Sequence, residues 1–246
     1  MTPALLAFHL GLIGLVVGCF LGLVSVRWPA DEDVAIGRSH CRTCRRTLSW
    51  PDLVPVASYL WTRGRCRSCA ALIPIKYPLI ELAAGGVGVW AALAGGTVQD
   101  AVLSALLGWQ LLLIAVIDFE HAWLPDRLTL PLLATGVIAA GVLDRLPLVD
   151  AGIGAFAGFV ALWSVGFVYR RWPGRDGLGD SPILFAAGGA WVGWADLPMV
   201  FLVAGLTGLG LVLADRIRGV LREPGRLTPF GAFLAAGIWM VWVLRL

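Results

Sequence analysis

Charge is scarce in this chain. Asp, Glu, Lys and Arg make up 14% of its 246 residues, hydrophobic residues make up 59%, and the mean hydropathy is +0.82. Globular domains carry about 25% charge, so the composition excludes an ordinary soluble fold and points to a membrane protein with many crossings. No Lys or Arg precedes the first apolar run, and Val24 to Ala30 offers no small-x-small cleavage site. That run is therefore expected to stay as a membrane helix and not to be removed as a signal peptide. A Rossmann-type glycine fingerprint is absent as well, so any cofactor pocket has to be built from the membrane helices or a loop. The bilayer is an expected partner and nucleic acid is not.

What is present is a series of apolar runs. About eight can be read, at roughly 5–26, 79–97, 101–118, 128–143, 151–169, 183–195, 198–214 and 229–244. Each is a candidate span by the ~20 residues a helix needs to cross a bilayer, although the sixth is short enough to be tilted, re-entrant or continuous with its neighbour. If all cross and the N-terminus is outside, the inner segments 27–78, 119–127, 170–182 and 215–228 hold 17 of the 19 Lys and Arg, leaving Arg145 and Arg245 outside. This positive-inside bias supports the orientation. The expected fold is an all-α polytopic membrane protein, one domain over 1–246, with a cytoplasmic loop at 37–78 between the first two spans.

Acids at the mouths of membrane helices are functional candidates. Asp118 ends the third run, and Asp180 closes Gly177-Leu178-Gly179-Asp180 before the sixth. The topology puts both at the cytoplasmic boundary, where two carboxylates brought together can share one proton and activate a water. Other readings remain open: Asp180 as a plain N-cap, and Glu120 or Asp126 in place of Asp118. Asp118 continues its helix, whereas Asp126 follows Pro125 and can cap the next span. His121 has no second His at ligand spacing and reads as an interfacial loop residue.

The loop carries four of the five cysteines, in Cys41-Arg42-Thr43-Cys44 and Cys66-Arg67-Ser68-Cys69. Two CxxC knuckles match a tetrahedral zinc ribbon, and in a reducing cytoplasm this outweighs two disulfides or four free thiols. A loop of this size with a weak apolar core also needs a staple to fold. Cys19 lies apart in the first span.

The order of features resembles the prepilin peptidases, or type IV leader peptidases, over nearly the whole chain. Gly18-Cys19-Phe20-Leu21 and Arg27-Trp28-Pro29 come first, then the paired CxxC loop with Val54-Pro55-Val56 and Arg63-Gly64-Arg65-Cys66. Lys76-Tyr77-Pro78-Leu79-Ile80-Glu81-Leu82, Ile117-Asp118 with Leu124-Pro125-Asp126, Gly177 to Asp180, and Pro229-Phe230-Gly231-Ala232-Phe233-Leu234-Ala235 complete the series. The resemblance implies Asp118 and Asp180 as catalytic residues, Cys41, Cys44, Cys66 and Cys69 as zinc ligands, and Asp176 as the acid that precedes the GxGD motif. It implies a membrane aspartyl peptidase that cuts the short basic leader from prepilins or pseudopilins at the cytoplasmic face. It further implies, in many members, methylation of the new N-terminus with S-adenosylmethionine. Gly22, where the family commonly has Asn, and Ser181-Pro182 depart from the family pattern. Two rival readings are a noncatalytic zinc-loop scaffold of a secretion or pilus system and a methyltransferase without peptidase activity.

Overall fold

The computed structural model describes residues 2–34, 37–143, 146–169, 171, 181–219 and 229–245. Among these the regular structure is helical, with only two isolated β-bridges, both in the loop. The helices are α1 (Pro3–Arg27), α2 (Ala57–Trp61), α3 (Lys76–Ala94), α4 (Val98–His121), α5 (Asp126–Leu143), α6 (Leu148–Tyr169), α7 (Ser181–Val192), α8 (Leu197–Ile217) and α9 (Phe230–Leu244). Apart from α2, each coincides with one of the eight apolar runs. Five stretches are long and apolar enough to cross a membrane: Pro3–Ala30, Lys76–Ala94, Val98–His121, Leu148–Val168 and Trp194–Ile217. Pro182–Val192 and Phe230–Leu244 are shorter apolar helices.

The chain forms two compact units, Met1–Leu113 and Ile114–Leu246. In the first, α1 packs along α3. A membrane offers no hydrophobic driving force between helices, so close van der Waals approach has to supply the attachment, and small residues permit it. Gly14 and Gly88 lie so close to the opposing backbone that a Cβ on either would overlap Ala84 and Leu10 respectively. The Trp109 indole in α4 adds a hydrogen bond from Nε1 to the Ala84 carbonyl, 2.9 Å. Gly14→Ile is therefore expected to destabilise this unit by about 1–3 kcal/mol, the range for overpacking. Gly86→Ala, with nothing within 4 Å of its Cβ, should leave thermal unfolding in detergent unchanged.

The second unit is arranged around α7. At 12 residues α7 is about 18 Å long, well short of a ~30 Å hydrocarbon core. Its residues 184–192 are all buried, with α5, α6 and α9 packed against it. Gly154 of α6 meets Gly189 backbone to backbone, and Trp191 donates from Nε1 to the Leu132 carbonyl of α5, 2.9 Å. Being enclosed by helices relieves α7 of any need to match the bilayer by itself.

Candidate active site and cysteine cluster

Three aspartates are buried among the described residues: Asp100, Asp118 and Asp196. Two have structural explanations. Asp100 and Thr97 cap the start of α4 reciprocally: Thr97 N donates to Asp100 Oδ2 and Asp100 N donates to Thr97 Oγ1, both 3.2 Å. Asp196, between α7 and α8, is paired with Arg245 just beyond α9.

Asp118 differs from both. It lies in the last turn of α4, 5% exposed, and no Lys or Arg among the described residues pairs with it. Instead its Oδ2 accepts the Ala232 N–H at 2.8 Å, and the Gly231 N–H also points at the carboxylate. These are orphan donors of the first turn of α9. The approach is close enough to require glycine: a Cβ on Gly231 would stand 2.7 Å from Leu124 Cδ1 and 3.1 Å from Asp118 Oδ2. The chain leaves α4 at Ala122, whose φ of 49° lies in the left-handed region and whose N–H closes on the Asp118 carbonyl at 2.8 Å. Leu124 and Pro125 are then buried and α5 begins at Asp126.

The other acids of this turn are placed differently. Glu120 and Asp126 are exposed, and Glu120 lies 3.7 Å from His121. Burial thus separates Asp118 from its two neighbours. Asp180 and Asp176 lie outside the described residues; Ser181, the next residue, begins α7. The role of Gly231 and Ala232 was not legible in the sequence, where they sit more than a hundred residues from Asp118. The one signal was the Pro229-Phe230-Gly231 string at the head of the last apolar run.

In the loop the two CxxC knuckles have the same backbone form. Arg45 N–H returns to the Cys41 carbonyl and Ala70 N–H to the Cys66 carbonyl, each 2.9 Å, with Arg45 and Ala70 at φ 59° and 56°. The four sulfurs lie within 4.8 Å of one another, Cys41–Cys69 at 3.9 Å and Cys44–Cys66 at 4.0 Å. None of them forms a disulfide. Sulfurs about 2.3 Å from a tetrahedral metal would stand about 3.8 Å apart, so the cluster could hold one such ion. The N–H groups of Cys44 and Thr43 lower the Cys41 thiol to about 6, and those of Cys69 and Ser68 lower Cys66 as well, favouring thiolates at these two positions. At Cys69 the Ala71 N–H also lowers the thiol, but burial and the side chains of Cys44, Cys66 and Cys41 outweigh it and raise the thiol to about 11. Asp52 ties the knuckles together. It accepts from the Ser49 hydroxyl at 2.7 Å and pairs with Arg67 at 2.9 Å and Arg46 at 3.9 Å, which together hold its carboxyl below its usual range.

Residues 12–94, which contain the four cysteines, match the bacterial peptidase A24 N-terminal domain. Residues 105–213, which contain Asp118 and Asp180, match the type IV leader peptidase family. A prepilin leader peptidase/N-methyltransferase of Burkholderia pseudomallei is 38% identical over 262 residues, covering 96% of this chain and 84% of the relative. The chain belongs to the type IV leader peptidase family.

Further relatives of this leader peptidase family with the same name are similar over most of their length. One from Aeromonas salmonicida is 36% identical across 86% of this chain and 74% of its own, and one from Klebsiella pneumoniae is 40% identical across 82% and 92%. No solved structure matches the chain.

Proposed function

We propose that this protein is a membrane aspartyl endopeptidase that removes the short basic leader of type IV prepilins or pseudopilins and then methylates the new N-terminus. The observation that carries the reading is Asp118, a buried acid with no cation partner among the described residues, seated on the start of α9 in a chain 34% to 40% identical to several prepilin leader peptidase/N-methyltransferases. Asp118 and Asp180 act as one general acid–base pair. One carboxylate takes a proton from water while the other donates to the scissile carbonyl, and the tetrahedral diol collapses to products without an acyl-enzyme. The pair titrates as a unit, so neither acid owns the shared proton. The N–H groups of Gly231 and Ala232 fix the Asp118 carboxylate in place, which is the positioning that such hydrolysis requires.

Cys41, Cys44, Cys66 and Cys69 hold a structural zinc ion, because a four-sulfur site with no open position suits folding rather than catalysis. Residues 1–246 work as one functional domain in the cytoplasmic membrane, with loop 37–78 and the site at the cytoplasmic face. The 17 inner Lys and Arg support that orientation. S-adenosylmethionine supplies an electrophilic methyl group: the amine lone pair forms the N–C bond, the C–S pair returns to sulfur, and the methylated ammonium releases a proton.

Purified protein in detergent, given a prepilin with and without S-adenosylmethionine, tests the reading by product mass. Leader loss in both samples and one added methyl only with the donor is expected. An intact prepilin in both would contradict the peptidase, and a shortened but never methylated product would contradict the second activity. Gly231→Val should lower leader removal at least tenfold at unchanged protein level, since its side chain would push into Leu124 and the Asp118 carboxylate.

A further inference from the structure

Part of the loop is held against a membrane helix by its own backbone. The Val56 N–H donates to Glu81 Oε2 of α3 at 2.7 Å, and the Cys19 thiol of α1 bonds the same carboxylate. Val56 has φ 58°, a rare conformation for a β-branched residue that persists only where its surroundings fix it. Glu81 stands about 7.5 Å along the axis from Lys76, where α3 starts. At 19 residues α3 is about 28 Å long, no longer than a ~30 Å hydrocarbon core. A helix with no length to spare cannot project into water, so the Val56–Glu81 bond lies at the edge of the hydrocarbon.

Helix α2 follows directly from Val56. Its Ser58 and Tyr59, and Thr62 after it, line the cavity between the loop and the loop-side ends of α1 and α3. Leu60 and Trp61 do not line that cavity and are 68% and 85% exposed. Trp50, in the short turn Trp50–Leu53 that contacts α2, is 80% exposed. Apolar exposure also runs on into the span: Ile75, Leu79 and Leu82 are exposed at helical spacing from the last loop residue into α3.

Large apolar side chains displayed together mark a surface that another phase or molecule covers. Indole rings are favoured at the headgroup level of a bilayer, where the ring meets the acyl boundary and the N–H meets the polar layer. Cations stand close by in the chain. Arg63 and Arg65, both exposed, follow Trp61, and residues 37–76 hold eight Lys and Arg against one acid, Asp52. Apolar anchors followed by cations complement acyl chains and lipid phosphates in turn.

From this geometry we infer that α2 and the turn at Trp50 form a lipid-docking surface. Trp50, Leu60 and Trp61 enter the headgroup and acyl boundary of the bilayer that holds the chain, and Arg63 and Arg65 meet its phosphates. The bond to Glu81 decides the occupant, because it sets this surface at the level where the spans already meet lipid.

The test uses the full chain in vesicles of phosphatidylethanolamine and phosphatidylglycerol, with the loop outward. A photoreactive p-benzoylphenylalanine in place of Trp61 should form adducts of phospholipid mass. Their yield should lie within fivefold of that from the same group in place of Leu12, an exposed residue in the middle of α1. A crosslink from position 61 to a second copy of the chain in place of lipid, or no adduct at all, would overturn the inference. Leu60→Gln combined with Trp61→Gln should leave thermal unfolding of the membrane helices unchanged and speed tryptic cleavage after Arg63 and Arg65 at least fivefold. Cleavage of the folded double variant at the wild-type rate would also overturn it. If the double variant does not fold, the crosslink in the otherwise native chain decides alone.

Discussion

Asp118→Asn and Asp180→Asn are each expected to lower leader removal by roughly a thousandfold or more, and the double variant should be no worse than either. Half a pair can neither share the proton nor activate the water, so the second exchange has nothing left to remove. This non-additivity separates a catalytic pair from two independent structural acids, whose effects would add. A structural role is the specific competitor for Asp118, because its carboxylate also satisfies the start of α9. Asparagine keeps an acceptor oxygen for the Ala232 N–H. The variant should therefore fold and bind substrate while failing to cut it. Cleavage kinetics at matched protein level, with thermal unfolding alongside, check the result.

The second large effect concerns the loop. Replacing both Cys41 and Cys44 with Ser should reduce bound zinc from one ion per chain to none. If the zinc ion staples the loop as proposed, the loop should then become open to protease. The membrane helices should remain folded, since their backbone hydrogen bonds are satisfied within each helix. Elemental analysis of protein prepared without chelator, before and after the exchange, is the measurement. Cys19→Ser should leave the zinc content unchanged, because Cys19 lies beside Glu81 and apart from the four-sulfur cluster.

Hydropathy made the helices legible, because a span must be apolar over its whole length whatever it packs against. The eight runs became α1 and α3 to α9, and the short sixth run became the enclosed helix α7. The cysteine cluster was legible for a different reason: CxxC spacing is local and fixes each pair's geometry before any tertiary contact forms. Choosing among Asp118, Glu120 and Asp126 was less secure, since all three fall close together in the sequence, at the end of α4 and the start of α5, and differ in what covers them. The structure buries Asp118 and leaves the other two exposed. The seat of Asp118 on α9 was not legible. It depends on helices joining residues far apart in the chain, and neither hydropathy nor spacing encodes which helix ends meet.

The central claim is that Asp118 does the chemistry and its exposed neighbour does not. Leader removal from a purified prepilin, followed by mass spectrometry at equal levels of wild type, Asp118→Asn and Asp126→Asn, tests it most directly. The account predicts cleavage by the wild type, substantial cleavage by Asp126→Asn and none by Asp118→Asn; robust cleavage by Asp118→Asn would contradict it.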